Sequence, residues 1–260
     1  MVSILPFGWQ SCKMDQLGAC NSPCAALLPN RNVRYGNVAN QSARDLMTLH
    51  VETAELTERQ MAVLDATLAV MVEEGDALTM TSVSRRASCS KETLYKWFGD
   101  RDGLLTATVR WQASKVHVPL VDKAKLDLTT LTATLEQFAR DWLAVISSGT
   151  SIALNRMAVS HAASGKTKLG SIVLKNGRLA MGRRLEPVLD AARDAGLLIF
   201  DGADEAFRTF FGLVLRDVQI RLLLGDELKL AAPQISADAA RATQQFLALY
   251  GAAKTLKREG

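Results

Sequence analysis

The first sustained hydrophobic pattern begins after residue 56. Leu64, Leu68 and Met71 recur at i, i+4 and i+7, with Val63 and Val70 beside them, the period of an amphipathic helix. Thr57-Glu58-Arg59-Gln60 has capping-box spacing ahead of this stripe. There the threonine accepts from the backbone of Gln60, and the glutamine side chain reaches back. Gly75 supplies a stop, so the pattern predicts one helix of about 17 residues. Two short helices are expected next. One runs over roughly 81–87; the other, over 91–97, is capped by Ser90 after the Ser88-Cys89 turn. Val83, Ala87, Leu94 and Phe98 face their common core. Asp100 caps a longer helix that Pro119 forces to end near Val118. Beyond it, Leu131, Leu135, Phe138, Trp142 and Val145 paint a stripe along about five helical turns. Further helices are expected over 151–163, 167–195, 203–224 and 237–255, with Pro187 breaking or kinking the second near Glu186. Nowhere do β-branched residues alternate between turn clusters as a strand requires. The expected fold class is all-α: an N-terminal three-helix helix-turn-helix domain and a C-terminal helical bundle.

Three segments are expected. Residues 1–55, with Pro6, Pro23 and Pro29 and no sustained periodicity, read as a poorly ordered leader. Residues 56–118 form the helix-turn-helix domain, and 119–260 an all-helical domain. Met47 is a candidate native start. At 260 residues and 48% hydrophobic content the chain can bury a substantial core. No apolar run reaches the ~18 residues of a membrane span, so a cytoplasmic protein is expected. Cys12, Cys20, Cys24 and Cys89 show neither zinc spacing nor histidine partners and read as reduced thiols.

A net charge of +4 is too mild to demonstrate nucleic-acid binding, but its distribution is uneven. Between Arg85 and Arg101 five basic residues (Arg85, Arg86, Lys91, Lys96 and Arg101) face two acidic ones, Glu92 and Asp100. Two short helices across a tight turn are the sequence form of a helix-turn-helix, whose second helix enters the DNA major groove. Lys91, Glu92, Thr93 and Lys96 lie on its outer side, opposite Leu94 and Phe98.

These residues resemble a known family. VLDATLAVMVEEG (Val63–Gly75) and LTMTSVSRRASCSKETLYKWFGDRDGLL (Leu78–Leu105) are similar to the N-terminal domain of TetR/AcrR regulators. Thr93-Leu94-Tyr95-Lys96-Trp97-Phe98 followed by Arg101-Asp102-Gly103-Leu104-Leu105 carries the most specific part. The resemblance implies that Thr93 and Tyr95 touch phosphates, that Lys91 and Glu92 sit over the groove, and that Arg101 fixes the fourth helix on the DNA backbone. The full expected DNA-contacting set is Thr57, Thr81, Arg85, Ser90, Lys91, Glu92, Thr93, Tyr95, Lys96, Trp97 and Arg101. Packing of Tyr95 on the first helix and a plain surface charge at Arg101 are the structural alternatives. Three positions depart from the family pattern. Ser88 occupies a turn position where glycine is frequent, Trp97 replaces Tyr or His, and Ser84 replaces alanine and is expected to bond back to Met80.

The resemblance further implies a ligand-responsive repressor acting as a homodimer on double-stranded DNA with a palindromic operator, and an unidentified small-molecule effector. Trp111, His117, Phe138, Trp142, Met157 and His161 are candidate pocket residues, with plain core packing as the alternative. The resemblance also makes 119–260 a ligand-binding and dimerisation domain. Helix 203–224 is apolar on most of its circumference, so pairing with 237–255 across a two-fold axis is expected to use Phe207, Phe211, Val214, Val218, Phe246 and Leu249, with a central helix of a monomeric bundle as the alternative. No cofactor, metal site or catalytic residue is expected. Gly165-Lys166-Thr167 imitates the end of a phosphate-binding loop, but Ser160 stands where its first glycine belongs. A helical dimer that binds ligand or protein without DNA is the alternative function.

Overall fold

The computed structural model describes residues 56–119, 122, 125–162 and 168–252. The expected leader, Met47, three of the four cysteines and Gly165-Lys166-Thr167 lie outside them. The described residues form helices without strands; one isolated antiparallel bridge joins Leu198 and Gly251.

Helix α1 (Glu58–Glu74) starts at the Thr57 capping box, with both reciprocal bonds formed, and ends where Gly75 takes φ +53°. Its stripe of Val63, Leu64, Leu68, Val70 and Met71 is buried. Helix α2 (Met80–Arg86) begins at a second capping box, Thr79 with Ser82, which the sequence reading placed one residue late and without a cap. The Ser84 hydroxyl donates to the Thr81 carbonyl at 3.0 Å rather than to Met80, because in so short a helix the i−3 carbonyl is the nearer acceptor. Helices α3 (Lys91–Phe98) and α4 (Arg101–Ser114) start at Ser90 and Asp100, each accepting from the backbone N–H three residues on. Helix α4 stops four residues before the expected Val118. The carbonyl of Ala113 is taken by the Val116 N–H and by Arg184, and the His117 N–H donates to Asp141, so the chain has already turned away.

Helix α5 (Leu128–Ile146) buries Leu131, Leu135, Phe138 and Trp142 as its period predicts. It is followed by α6 (Gly149–Ala162). The element expected over 167–195 is two helices, α7 (Leu169–Asn176) and α8 (Arg178–Asp194). The break falls at Gly177, where a Cβ would stand 2.6 Å from the Val173 carbonyl, and not at Pro187. Pro187 sits inside α8 on its exposed side, where water can serve the carbonyl that loses its donor.

The expected helix 203–224 is also divided, into α9 (Ala203–Leu215) and α10 (Val218–Leu223), by Arg216 at φ +46°. Arg156 of α6 donates to the Leu222 and Leu223 carbonyls at 2.7 and 3.2 Å and so caps α10. Helix α11 (Ala232–Tyr250) starts earlier than expected, with Pro233 in its first turn, where a missing N–H costs nothing. It ends at Tyr250 because Gly251 and Ala252 turn to pair with Leu197–Ile199.

Two apolar clusters hold the body. One gathers α1–α4 with Leu154, Met157 and Ala158 of α6 and Leu169 and Ile172 of α7. The other joins α5, α8, α9 and α11 around Phe138, Phe207, Phe210 and Phe246. Helix α4 belongs to both, contributing Leu104, Leu105 and Val109 to the first and Ala113 to the second.

Candidate nucleic-acid interface and internal cavity

The turn between α2 and α3 closes a Schellman motif. The Cys89 N–H donates to Ser84 at 3.0 Å, the Ser88 N–H donates to Arg85 at 3.3 Å, and Ser88 itself takes φ +49°. Serine therefore occupies the left-handed position that favours glycine. Arg59, which the sequence reading passed over, donates to the carbonyls of Ser88 and Ala87 at 2.8 and 3.3 Å and ties the turn to the start of α1. Burial pushes the Cys89 thiol up from its ordinary pKa, against the pull of the Arg59 charge.

Helix α3 buries Leu94 and turns Lys91, Glu92, Tyr95 and Lys96 outward; Tyr95 is 52% exposed. Thr81, Arg85 and Ser88 are exposed beside them on α2 and the turn. The two arginines of α2 differ in use. Arg86 forms a two-point pair with Glu73 of α1, whereas Arg85, like Lys91 and Lys96, has no ion pair among the described residues. Glu92 is held below the usual carboxylate range by its own backbone N–H, then by the Ser90 hydroxyl, at the start of α3.

Several members of the expected contact set already have partners inside the fold. Thr57 and Ser90 are helix caps, and the Thr93 hydroxyl lies 3.1 Å from Ser90 Oγ. Trp97 is half-buried, edge-on to Phe98 at 6.2 Å against the α1–α4 core. Arg101 Nε donates to the Leu78 carbonyl at 3.4 Å.

Between α4 and α10 lies a cavity of about 660 Å³. Val109, Gln112 and Ala113 of α4, Trp142, Val145 and Ile146 of α5, and Ser151, Leu154 and Asn155 of α6 form part of its wall. Val173 and Leu174 of α7, Arg178 and Met181 of α8, Phe211 of α9 and Gln219 of α10 supply more. Gln112 is 5% exposed; its amide donates to Ser148, Thr150 and Ser151, pinning α4 to the α5–α6 corner. Trp142 stacks on Phe207 at 5.7 Å and lies 5.0 Å from Phe211, and the Arg178 guanidinium covers the same two phenylalanines.

Of the six expected pocket residues only Trp142 lines this cavity. Phe138 and Met157 are core side chains. Trp111 is turned outward onto Asp65 at 2.8 Å, His117 is exposed against Asp141 at 3.1 Å, and His161 is off the wall. The residues missed, such as Gln112, Asn155, Arg178 and Gln219, carry no sequence pattern that marks them as neighbours. The expected dimer residues are likewise redistributed. Phe207, Val214 and Phe246 are spent in their own core, Phe211 faces the cavity, and Val218 is buried on α10; Leu249 alone is exposed, at 66%. Helix α9 is apolar nearly all round because α5, α8 and α11 pack on it within one chain.

An exposed basic helix-turn-helix joined by a shared helix to a hollow helical body defines a class of helix-turn-helix regulators. Residues 133–252 match the family model described as AefR-like transcriptional repressor, C-terminal domain. The crystal structure of a TetR transcriptional regulator from Agrobacterium tumefaciens is 44% identical, with 75% of this chain and 95% of that one covered and a TM-score of 0.63. The flavonoid-responsive regulator FrrA is 26% identical over 74% of this chain and 97% of its own, with a TM-score of 0.55. The HTH-type transcriptional regulator BetI of Paraburkholderia xenovorans is 43% identical over 63 residues, a match covering 22% of this chain and 32% of that regulator's length. The chain belongs to the TetR family of transcriptional regulators. Among the described residues, no helix is long and apolar enough to cross a membrane.

Proposed function

We propose that this protein is a cytoplasmic repressor that binds a near-palindromic DNA operator as a homodimer and releases it when a small molecule fills the cavity. In this reading residues 56–118 are the DNA-binding domain and 119–260 the regulatory and dimerisation domain. The observation that carries it is the outward face of α2 and α3. Arg85, Lys91, Lys96 and Tyr95 are exposed there, and none of the three cations is ion-paired to an acid among the described residues.

Lys91 and Glu92 at the start of α3 would reach base edges, while Arg85, Tyr95, Lys96 and Thr81 would hold the backbone. Thr57, Ser90, Thr93, Trp97 and Arg101 would act mainly by fixing the helix ends from which those contacts are made. The repressor sense follows the description of the matching family model, and responsiveness to a small molecule has a parallel in the flavonoid-responsive FrrA. Helix α4 reaches from the helix-turn-helix core to the cavity wall, so a ligand preferring one position of α4 would shift DNA affinity.

For the dimer, the surface offered includes Glu205, Arg208 and Gly212 on α9 with Arg241, Gln245, Ala248 and Leu249 on α11, all exposed. These follow i, i+3, i+7 and i, i+4, i+7, i+8, so each set forms one stripe. The test is selection of bound fragments from genomic DNA by the full chain, in parallel with Lys91→Ala/Lys96→Ala. An inverted repeat enriched by the first and lost by the second is expected. Absence of any enriched sequence, with the protein folded and dimeric, would instead favour a helical binding module without DNA.

A further inference from the structure

We propose that the cavity takes an amphipathic monocarboxylate, with the Arg178 guanidinium as its anchor; this rests on the reading of the cavity as the effector site. The wall is apolar and aromatic over most of its area, and among the described residues Arg178 is the one charged side chain on it. Among the described residues no acid lines the cavity, so a cationic ligand finds no counter-charge from them. Arg178 has neither an ion pair nor a hydrogen bond among the described residues. What it has is aromatic cover: its guanidinium carbon lies 5.0 Å from the Phe211 ring centroid and 5.6 Å from that of Phe207. These contacts give the guanidinium carbon aromatic neighbours but no acceptor for its N–H groups, and the N–H edge of a guanidinium is the fork that matches a carboxylate.

The backbone adds the same sign. Gly177 and Arg178, both on the wall, begin α8 with no side-chain cap and no acidic residue in the first turn, so its free N–H groups and the positive end of its dipole lie beside the anchor. Arg184, two turns further along α8, also has no acidic partner among the described residues and donates to the Ala113 carbonyl at 2.7 Å. Burial, and then the Arg183 charge, lower its pKa, as befits an uncompensated cation. One negative charge satisfies this end. The body of the ligand would lie against Trp142, Phe211, Met181 and Leu154, and Val159 and Leu174, exposed on the rim, offer an apolar entrance. A cavity of this size falls within the range of about 300–1,000 Å³ that encloses drug-sized ligands.

The test compares 1-pyrenebutyrate with 1-pyrenebutanol, which share the body and differ in the charged head, by fluorescence titration of the full chain and its Arg178→Gln and Arg178→Lys variants. The wild type should bind the carboxylate at least about tenfold more tightly than the alcohol. Arg178→Gln should lose that preference while still binding the alcohol, which also shows that the variant is folded; Arg178→Lys should keep part of it. Equal affinity for the two probes in the wild type, or a preference that survives in Arg178→Gln, overturns the anchor. Arg178-dependent binding of pyrenebutyrate that leaves the affinity for the selected DNA unchanged supports the anchor and overturns the effector reading alone.

Discussion

At the scale of single residues, the α2–α3 turn rests on Ser88 in a conformation that suits glycine. Its φ of +49° costs a residue with a Cβ up to about 1 kcal/mol. Ser88→Gly should therefore raise stability by some tenths of a kcal/mol to about 1 kcal/mol, seen as a higher denaturant midpoint at unchanged m-value. An unchanged midpoint would mean that the Arg59 bonds to this turn already offset the strain. Glu186 makes the opposite kind of statement. Burial first, and then the nearby charges of Asp190 and Asp204, raise its pKa. A carboxyl whose folded pKa is raised favours the fold while protonated, and that contribution is lost as pH climbs through the folded pKa. Glu186→Gln should melt higher than the wild type at pH 7, with the difference closing once the pH falls below the ordinary glutamate pKa of about 4.3. A difference independent of pH would contradict this.

Among elements, the junction of α3 and α4 is the tightest. A Cβ on Gly103 would come within 1.9 Å of the Phe98 carbonyl, and the Gly103 N–H is bound to Asp100 at 2.7 Å. Gly103→Ala should cost about 1–3 kcal/mol, the range of overpacked sites, read by chemical denaturation. Helices α1 and α3 were legible in the chain because their signals are local: a cap, a period and a glycine stop. The breaks at Gly177 and Arg216 were not. Helix α7 ends at Gly177 against the Val173 carbonyl of its own last turn, and the Asn176-Gly177 pair that marks this end stands inside an otherwise continuous helical pattern. Arg216 carries no turn signal of its own, and the capping of α10 comes from Arg156, more than fifty residues earlier. Pro187 misled for the converse reason, since an exposed carbonyl tolerates the loss of its donor.

For the molecule as a whole, the same contrast separates the proposed DNA face from the cavity and the proposed dimer face. Lys91, Tyr95 and Lys96 fall on one side of a single short helix, so spacing alone places them together. The cavity is assembled from seven helices, and its polar residues share no spacing. The aromatic residues expected there mostly fill cores. Dimer expectations failed on Phe207 and Phe246 because an apolar circumference cannot distinguish burial within one chain from burial against a second. The exposed stripes of α9 and α11 make a sharper prediction. Leu249→Asp should shift the protein toward monomer in sedimentation equilibrium with its helical content unchanged. Retention of the dimer would place the two-fold contact elsewhere.

In the proposed function the cations of the helix-turn-helix meet phosphates and bases of double-stranded DNA. The most direct measurement of this contact is the salt dependence of affinity for the enriched fragment. Each phosphate contact contributes a slope of about −0.9 in log K against log salt concentration. Wild type should show a steep negative slope, and Lys91→Ala/Lys96→Ala a weaker affinity with a slope shallower by about one or more. An affinity and slope that the double substitution leaves unchanged would contradict the account, because the DNA would then be held by some other surface.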